Sequence, residues 1–150
     1  MRNSAITMPS PTATSAAATE HVRVESPGCG SACGSDDVYR VRFYETTLAA
    51  PRVNNSGAQV TVVILQNASS ATVSGALHLR NADGSDAGAQ AFQVAPRATF
   101  VFNSSTSFPA FSGSLTVAHD GAYGSLVGKA VALEPSSGFS FDTPLTCRPR

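Results

Sequence analysis

Cys29 and Cys33 stand in the stretch Gly-Cys-Gly-Ser-Ala-Cys-Gly, and the third cysteine, Cys147, lies near the C-terminus. Thiolates bind metals and exchange disulfides, but each use has its own spacing. Zinc knuckles pair Cys-x2-Cys with a second pair of ligands. Here three residues intervene, and the other candidates are Cys147 and the distant His21, His78 and His119. Thioredoxin-like exchange needs Cys-x-x-Cys at a helix N-terminus, a context this glycine-rich stretch does not supply. Set against free thiols and a metal site, the reading adopted is a structural disulfide in an oxidising compartment. It joins either Cys29 to Cys33 or one of these to Cys147. The second option closes a loop of most of the chain, which the chain-entropy model credits with up to about 4–5 kcal/mol.

His119-Asp120, with Ser112 and Ser114 nearby, invites a hydrolase reading. There is no Gly-x-Ser-x-Gly elbow, however, and a triad is a matter of geometry. His119-Asp-Gly is more simply a turn. Arg40, Arg42 and Tyr44 alternate along one run and form a candidate ligand face for a sugar or a neighbouring module. The competing reading is a solvated face paired with Asp37 and Glu45. Sugars stack on exposed aromatics, and a chain with no Trp and three Tyr offers few. Asp83, Asp86 and Asp120 sit in turns without the Asp-x-Asp-x-Asp-Gly series of a calcium loop. Asn-x-Ser occurs at Asn54, Asn67 and Asn103, as expected by chance in so Asn- and Ser-rich a chain. No catalytic, cofactor or metal-binding set is assigned.

These residues need a scaffold, and composition bounds it. The chain has 150 residues, one domain with a tail to spare. Hydrophobic residues make up 42% and charged residues only 13%, against roughly 25% in typical proteins. Net charge is zero, so there is no basic surplus for phosphates or an anionic membrane surface. No apolar run reaches the roughly 20 residues that span a bilayer. The opening MRNSAITMPSPTATSAAATE lacks an apolar h-region, so it does not read as a signal peptide. Its Ser, Thr, Ala and Pro content suits an interdomain linker, and the chain reads as the C-terminal part of a longer exported protein. Residues 1–36 are expected to be a disordered, low-complexity linker with a cysteine-bearing loop. His21–Glu25 is the one short edge strand they suggest. Residues 37–150 are expected to be the folded domain.

Alternation supplies the strands. Val38–Thr47 places Tyr39, Val41 and Phe43 opposite Arg40, Arg42 and Tyr44, and Pro51–Gly57 reads as a turn-rich loop. Gln59–Asn67 has Val60, Val62 and Ile64 on one face and Val63 and Leu65 on the other, which suits a central strand covered on both sides. Thr72–Arg80 sends Val73, Leu77 and Leu79 inward with Gly75 in an inward slot, and keeps one wet face. These two are read as neighbours joined by Ala68–Ala71. Gln90–Val94 and Ala98–Asn103 read as a hairpin bringing Phe92, Val94, Phe100 and Phe102 to the core. Phe111–Ala118 sends Leu115 and Val117 inward, and Ser125–Leu133 sends Val127, Val131 and Leu133 inward. Phe139–Asp142 caps one end of the core with its two phenylalanines, and the tail from Thr143 runs extended. The single lysine, Lys129, shares the face of Val127 and Val131. It reads either as an edge-strand gatekeeper or as a side chain reaching water from a rim. About seven short strands at roughly 8–12-residue spacing, with no helical period between them, indicate an all-β, antiparallel Ig-like β-sandwich, with a small closed barrel as competitor.

From Gln59 to Asn103, the runs V-T-V-V-I-L-Q-N, V-S-G-A-L-H-L-R-N-A-D-G and F-Q-V-A-P-R-A-T resemble Ig-like modules of exported multidomain bacterial proteins. The resemblance covers Tyr39 to Arg150. The I-L-Q-N and V-A-P-R-A-T segments are also similar to the sensory rhodopsin transducer family, another β-sandwich. Both resemblances imply fold, and the first an exported context; neither carries a binding or catalytic residue to any position here. The functional expectation is a non-catalytic extracytoplasmic module, secreted or at the cell surface. It serves as a spacer, adhesion or protein-interaction domain, with other protein domains or cell-surface components as partners, no nucleic acid and no membrane span. A carbohydrate-binding module, with a glycan partner, is the alternative.

Overall fold

Short runs in which β-branched and aromatic residues alternate with small and polar ones fit a pleated surface with one buried face. The computed structural model describes residues 46–147. Among them nine such runs form strands: β1 Leu48–Asn54, β2 Val60–Asn67, β3 Val73–Asn81, β4 Asp86–Val94, β5 Thr99–Asn103, β6 Ser112–His119, β7 Leu126–Glu134, β8 Phe139–Pro144 and β9 Thr146–Cys147. One helical turn, α1 Ser104–Ser107, follows β5 and is capped by the Asn103 side chain. The strands pair antiparallel into two sheets, one ordered β4-β3-β6-β1-β9 and the other β5-β2-β7-β8. The chain is an antiparallel β-sandwich.

The core lies between the sheets. The five-stranded sheet contributes Leu48, Ala50, Val53, Val73, Leu77, Leu79, Phe92, Val94, Leu115 and Val117, and the four-stranded sheet contributes Val63, Leu65, Leu126 and Ala130. Phe92 on β4 meets Phe100 on β5 with ring centroids 5.7 Å apart, and Phe100 stacks on Phe102 at 6.5 Å. This aromatic column joins the sheets along the β4–β5 side. Gly75 makes room for it: a Cβ there would stand 2.7 Å from the Phe92 ring and 2.1 Å from the Ala118 carbonyl oxygen.

Several expectations are corrected by sheet membership. β2 and β3 are not neighbours, because β2 lies in the four-stranded sheet and β3 in the five-stranded one. β4 and β5 likewise form no hairpin; the turn at Ala95–Ala98, with Arg97 at φ 61°, carries the chain from one sheet to the other. Residues 51–54, read as loop, are the second half of β1. The register breaks between Ala50 and Val53, so Pro51 sits at an irregularity where no ladder donor is needed, and Val53 is fully buried. The expected strand Val38–Thr47 lies outside the described residues up to Glu45, and Thr46–Thr47 precede β1. The expected linker, residues 1–36, also lies outside them.

The inward face of β7 is the reverse of the one expected. Leu126, Gly128 and Ala130 point to the core and Val127 is 47% exposed, while Val131 shares the outward parity yet is buried. Size, not polarity, decides: a Cβ on Gly128 would stand 2.7 Å from both Leu65 Cδ2 and the Ile64 carbonyl oxygen and 3.0 Å from Leu145 Cδ1, so no larger residue fits at that position. Lys129 guards no edge, because β7 is paired on both sides, and it forms an ion pair with Asp142 of β8. Phe139 and Phe141 cap nothing; they are 67% and 70% exposed on the edge strand β8. The tail is not simply extended, since Leu145 crosses between sheets and β9 pairs with the start of β1.

Leu65 is fully buried on β2 between β5 and β7. Leu65→Ala is expected to lower the free energy of unfolding by about 2–5 kcal/mol in urea denaturation. A loss under about 0.5 kcal/mol, the range of surface changes, would contradict this packing.

Candidate functional site

The chemistry-bearing residues are scattered. Cys29, Cys33, Arg40, Arg42 and Tyr44 lie outside the described residues, and Cys147 is exposed at the end of β9. His119 closes β6, with Asp120 directly after it. The Asp120 carboxylate accepts the Ser74 N–H at 2.8 Å while its own N–H donates to the Ser74 carbonyl, so it ties off the β3–β6 ladder. Ser112 and Ser114 stand near the opposite end of β6, about 17 Å or more from His119 at roughly 3.3 Å per residue. The structure does not bring these four residues together. Asp83 accepts both the N–H and the hydroxyl of Ser85, and Asp86 accepts the Gly88 N–H. Among the described residues, no group of three His, Cys, Asp or Glu is placed to hold a metal ion. No helix there is long and apolar enough to cross a membrane.

The Asn-x-Ser triplets are not accidental in this fold. At Asn54, Asn67 and Asn103 the side-chain Oδ1 accepts both the backbone N–H and the hydroxyl of the serine two residues on. Asp83 and Ser85 repeat the arrangement. Each is a side-chain mimic of a backbone turn. Three of them sit where a strand ends and the chain changes direction.

A surface is what remains, and strand register lays it out. On the outer face of the four-stranded sheet, Val101 of β5, Ile64 of β2 and Lys129 of β7 stand in one row. Asn103, Val62, Val131 and Asp142 form the next, and Thr99, Gln66 and Val127 the row on the other side. Val60, Leu133 and Ser140 complete it. Val101 is 62% exposed, and Val60, Val62, Ile64 and Leu133 are half-buried. The outer face of the five-stranded sheet is different: Ser74, Ala76, His78, Arg80, Ala89, Ala91, Gln93, Ser114, Thr116 and Ala118 are small or polar. Among the described residues, the outer face of the four-stranded sheet is the more apolar of the two, with Val101 and Val127 exposed and Val131 buried. The sequence leads one to expect β2 covered on both sides; among the described residues only the face of Val63 and Leu65 is buried in the core, and Val60, Val62 and Ile64 lie half-buried on the outer face.

A second feature lies at the open side between the sheets. β9 pairs only with Leu48 and Ala49, so among the described residues the rest of β1 has no ladder partner on that side. A cleft of about 210 Å³ opens there, with Arg52, Asn54 and Gln59 on one wall and Thr61, Ala130, Phe141 and Thr143 on the other.

The fold defined by these sheets is that of an antiparallel β-sandwich with no helical layer. No protein-family model and no curated protein matches the chain. Among solved structures, the crystal structure of Thermotoga maritima 1070 is similar over 70% of this chain and 96% of that one, with a TM-score of 0.59 and 9% sequence identity. At that identity the likeness speaks for the fold.

His119 is buried, and its Nδ1 has no hydrogen-bond partner. Burial holds its pKa below the ordinary histidine value, while a backbone hydrogen bond with Thr46 and the charge of Asp120 pull the other way. The unfolded chain therefore takes up this proton first as pH falls. The stabilisation is fully present above about 6.5 and is lost as pH drops below it. The urea midpoint is expected to be lower at pH 5.5 than at pH 7.5, and His119→Gln is expected to flatten that dependence. An unchanged slope in the variant would contradict the assignment.

Proposed function

We propose that this chain is a non-catalytic extracytoplasmic module, a protein-interaction, adhesion or spacer domain of a larger exported protein. The observation that carries the reading is the apolar outer face of the four-stranded sheet. Sheet faces left to water carry polar residues, and contiguous exposed apolar patches mark interaction sites. The titratable groups described above support it as well, because they serve turns, a ladder end and an ion pair. Export is supported by three cysteines in a chain with few charged residues and by the resemblance to exported Ig-like modules.

A carbohydrate-binding reading draws on one observation, the cleft where the exposed Phe141 ring stands beside Arg52 and Gln59. An aromatic platform next to amide and guanidinium donors is a sugar-binding arrangement. A glycan array probed with the parent protein and with Arg42→Ala, Tyr44→Ala and Phe141→Ala separates the two. The array is expected to stay blank. Reproducible binding abolished by any of these changes would replace the interaction module with a glycan-binding one.

The compartment is tested separately. Non-reducing peptide mapping of protein isolated from its own cells is expected to recover Cys29 linked to Cys33, or one of them linked to Cys147. Complete alkylation of all three thiols would remove the extracytoplasmic assignment.

A further inference from the structure

We infer that the open corner of the sandwich, between β8 and the unpaired part of β1, docks a proline-rich segment of a partner protein in the extended polyproline conformation. The inference rests on the interaction-module reading and names the partner's chemistry and its place on the fold. Phe139 and Phe141 stand opposite Glu134 and Ala132 in the β7–β8 ladder, and Ala132 shares the parity of the core residue Ala130. Both rings are therefore on the inner side of the four-stranded sheet, yet they are 67% and 70% exposed. The cause is the short edge of the other sheet. β9 has two residues paired with Leu48 and Ala49, and among the described residues no strand continues it across from the rings. Two adjoining clefts of about 210 and 200 Å³ open at this corner and share Gln59, Ala132 and Phe141.

Charge and hydrogen-bonding capacity select the occupant. Asn54 Oδ1 accepts the N–H and the hydroxyl of Ser56, which fixes the amide so that Nδ2 donates to Gln59 Oε1. Thr61 Oγ1 is engaged in both directions with the Asn54 main chain. What is left over donates. Among the described residues, Gln59 Nε2, the Arg52 guanidinium and the Thr143 hydroxyl have no partner, and Arg52 has no carboxylate beside it. No acidic side chain lines the larger cleft, and Glu134 at the far end of the smaller one accepts from the Ser137 hydroxyl. A cationic, donor-rich corner with two bare aromatic rings calls for an apolar ligand that brings acceptors without donors. Prolyl residues meet that description, since each offers a carbonyl and no N–H. In the polyproline helix those carbonyls make no internal hydrogen bonds. The helix is also ordered before it binds, which is why aromatic-lined grooves recognise it. Phe139 and Phe141 lie two residues apart on one strand, about 6.8 Å, and two residues of polyproline helix advance about 6.2 Å. A sugar, in contrast, brings a donor with every hydroxyl acceptor, and the side-chain oxygens of Asn54, Gln59 and Thr61 are already taken.

Amide NMR of the full chain titrated with acetylated, amidated decaproline tests this. A second chain carrying Pro9→Ser and Pro11→Ser is titrated alongside, so that the protein's own prolines do not compete. Saturable shifts are expected at Gln59, Ala132, Phe139 and Phe141 and at the side-chain N–H groups of Gln59 and Arg52, with Kd below about 1 mM. Phe139→Ala and Phe141→Ala are each expected to weaken binding at least about fivefold. Both rings are exposed, so the fold survives their loss. Arg52→Ala is expected to weaken it about threefold or more. Ala91→Ser, on the outer face of the five-stranded sheet, is expected to leave Kd unchanged, and a glycine–serine decapeptide is expected not to bind. No saturable shift in either chain up to about 5 mM decaproline, weaker than any specific docking, overturns the site. So does binding indifferent to both phenylalanine variants, or equal binding of the glycine–serine peptide. With a blank glycan array, that failure removes the proline-rich ligand and leaves the interaction module standing. A positive array abolished by Phe141→Ala removes the module reading itself and gives the corner to a sugar.

Discussion

The sandwich depends on how its ends are closed, and the Asn67 carboxamide is the clearest case. Its side chain has no exposure to solvent. Nδ2 lies within hydrogen-bond distance of the carbonyls of Ala71, Val94 and Ala95, and Oδ1 accepts from Ser69. An amide has only two N–H groups, so the three carbonyls share them. Asn67 ends a strand of the four-stranded sheet, whereas Val94 ends one of the five-stranded sheet. One side chain thus holds both crossings, 68–72 and 95–98, at a fixed separation. A buried carbonyl left without a partner costs about 1–3 kcal/mol, so this amide cannot be exchanged for an apolar group of similar size.

The opposite end is closed by the same chemistry with more participants. Asn54 exchanges hydrogen bonds with Thr61, its N–H reaching the Thr61 hydroxyl and its carbonyl accepting from it. Asn55 accepts the Thr61 N–H and the Ser104 hydroxyl, and donates to the Phe108 carbonyl. The single Ser104 O–H is shared between Asn55 Oδ1 and the Thr61 carbonyl. Thr61 on β2 is therefore tied to the β1–β2 loop and to α1 at once. In a chain with few charges, buried amides and hydroxyls do the work of specifying which strand ends meet. They are neutral, so the closure carries no cost of desolvating ions.

Alternation made much of this legible. The inward residues of β3 and β6 follow directly from period 2, because their outward partners are polar or small. The reading failed where both parities are apolar. On β7 Val127 and Leu133 point out and the smaller Gly128 and Ala130 point in, an order that reflects the space beside Leu65 and Leu145 rather than any local preference, while Val131 is buried although it shares the outward parity. Sheet membership was equally hidden. A four-residue polar connection such as 68–71 looks the same whether it turns within a sheet or crosses between two, and the difference lies in partners distant in sequence. The Asn-x-Ser turns were visible as triplets, but their pairing of one acceptor with two donors emerges only when the strand before them ends.

The two kinds of exposed surface on a sandwich, edges and faces, are handled differently here. Unpaired edge backbone is a template for adding strands. Of the four edge strands, β9 has two residues and β5 has five. β8 carries Asp142 and ends in Pro144, which has no N–H to offer. β4 is the longest edge, and its ladder with β3 is broken at Leu79/Arg80, with the charge of Asp86 at its start. Each edge is short, charged, interrupted or proline-terminated, so strand addition is discouraged all round. On the outer face of the four-stranded sheet, among the described residues, the charges of Lys129 and Asp142 are paired with each other, Val131 between Asp142 and β2 is buried, and Val101 and Val127 stay exposed.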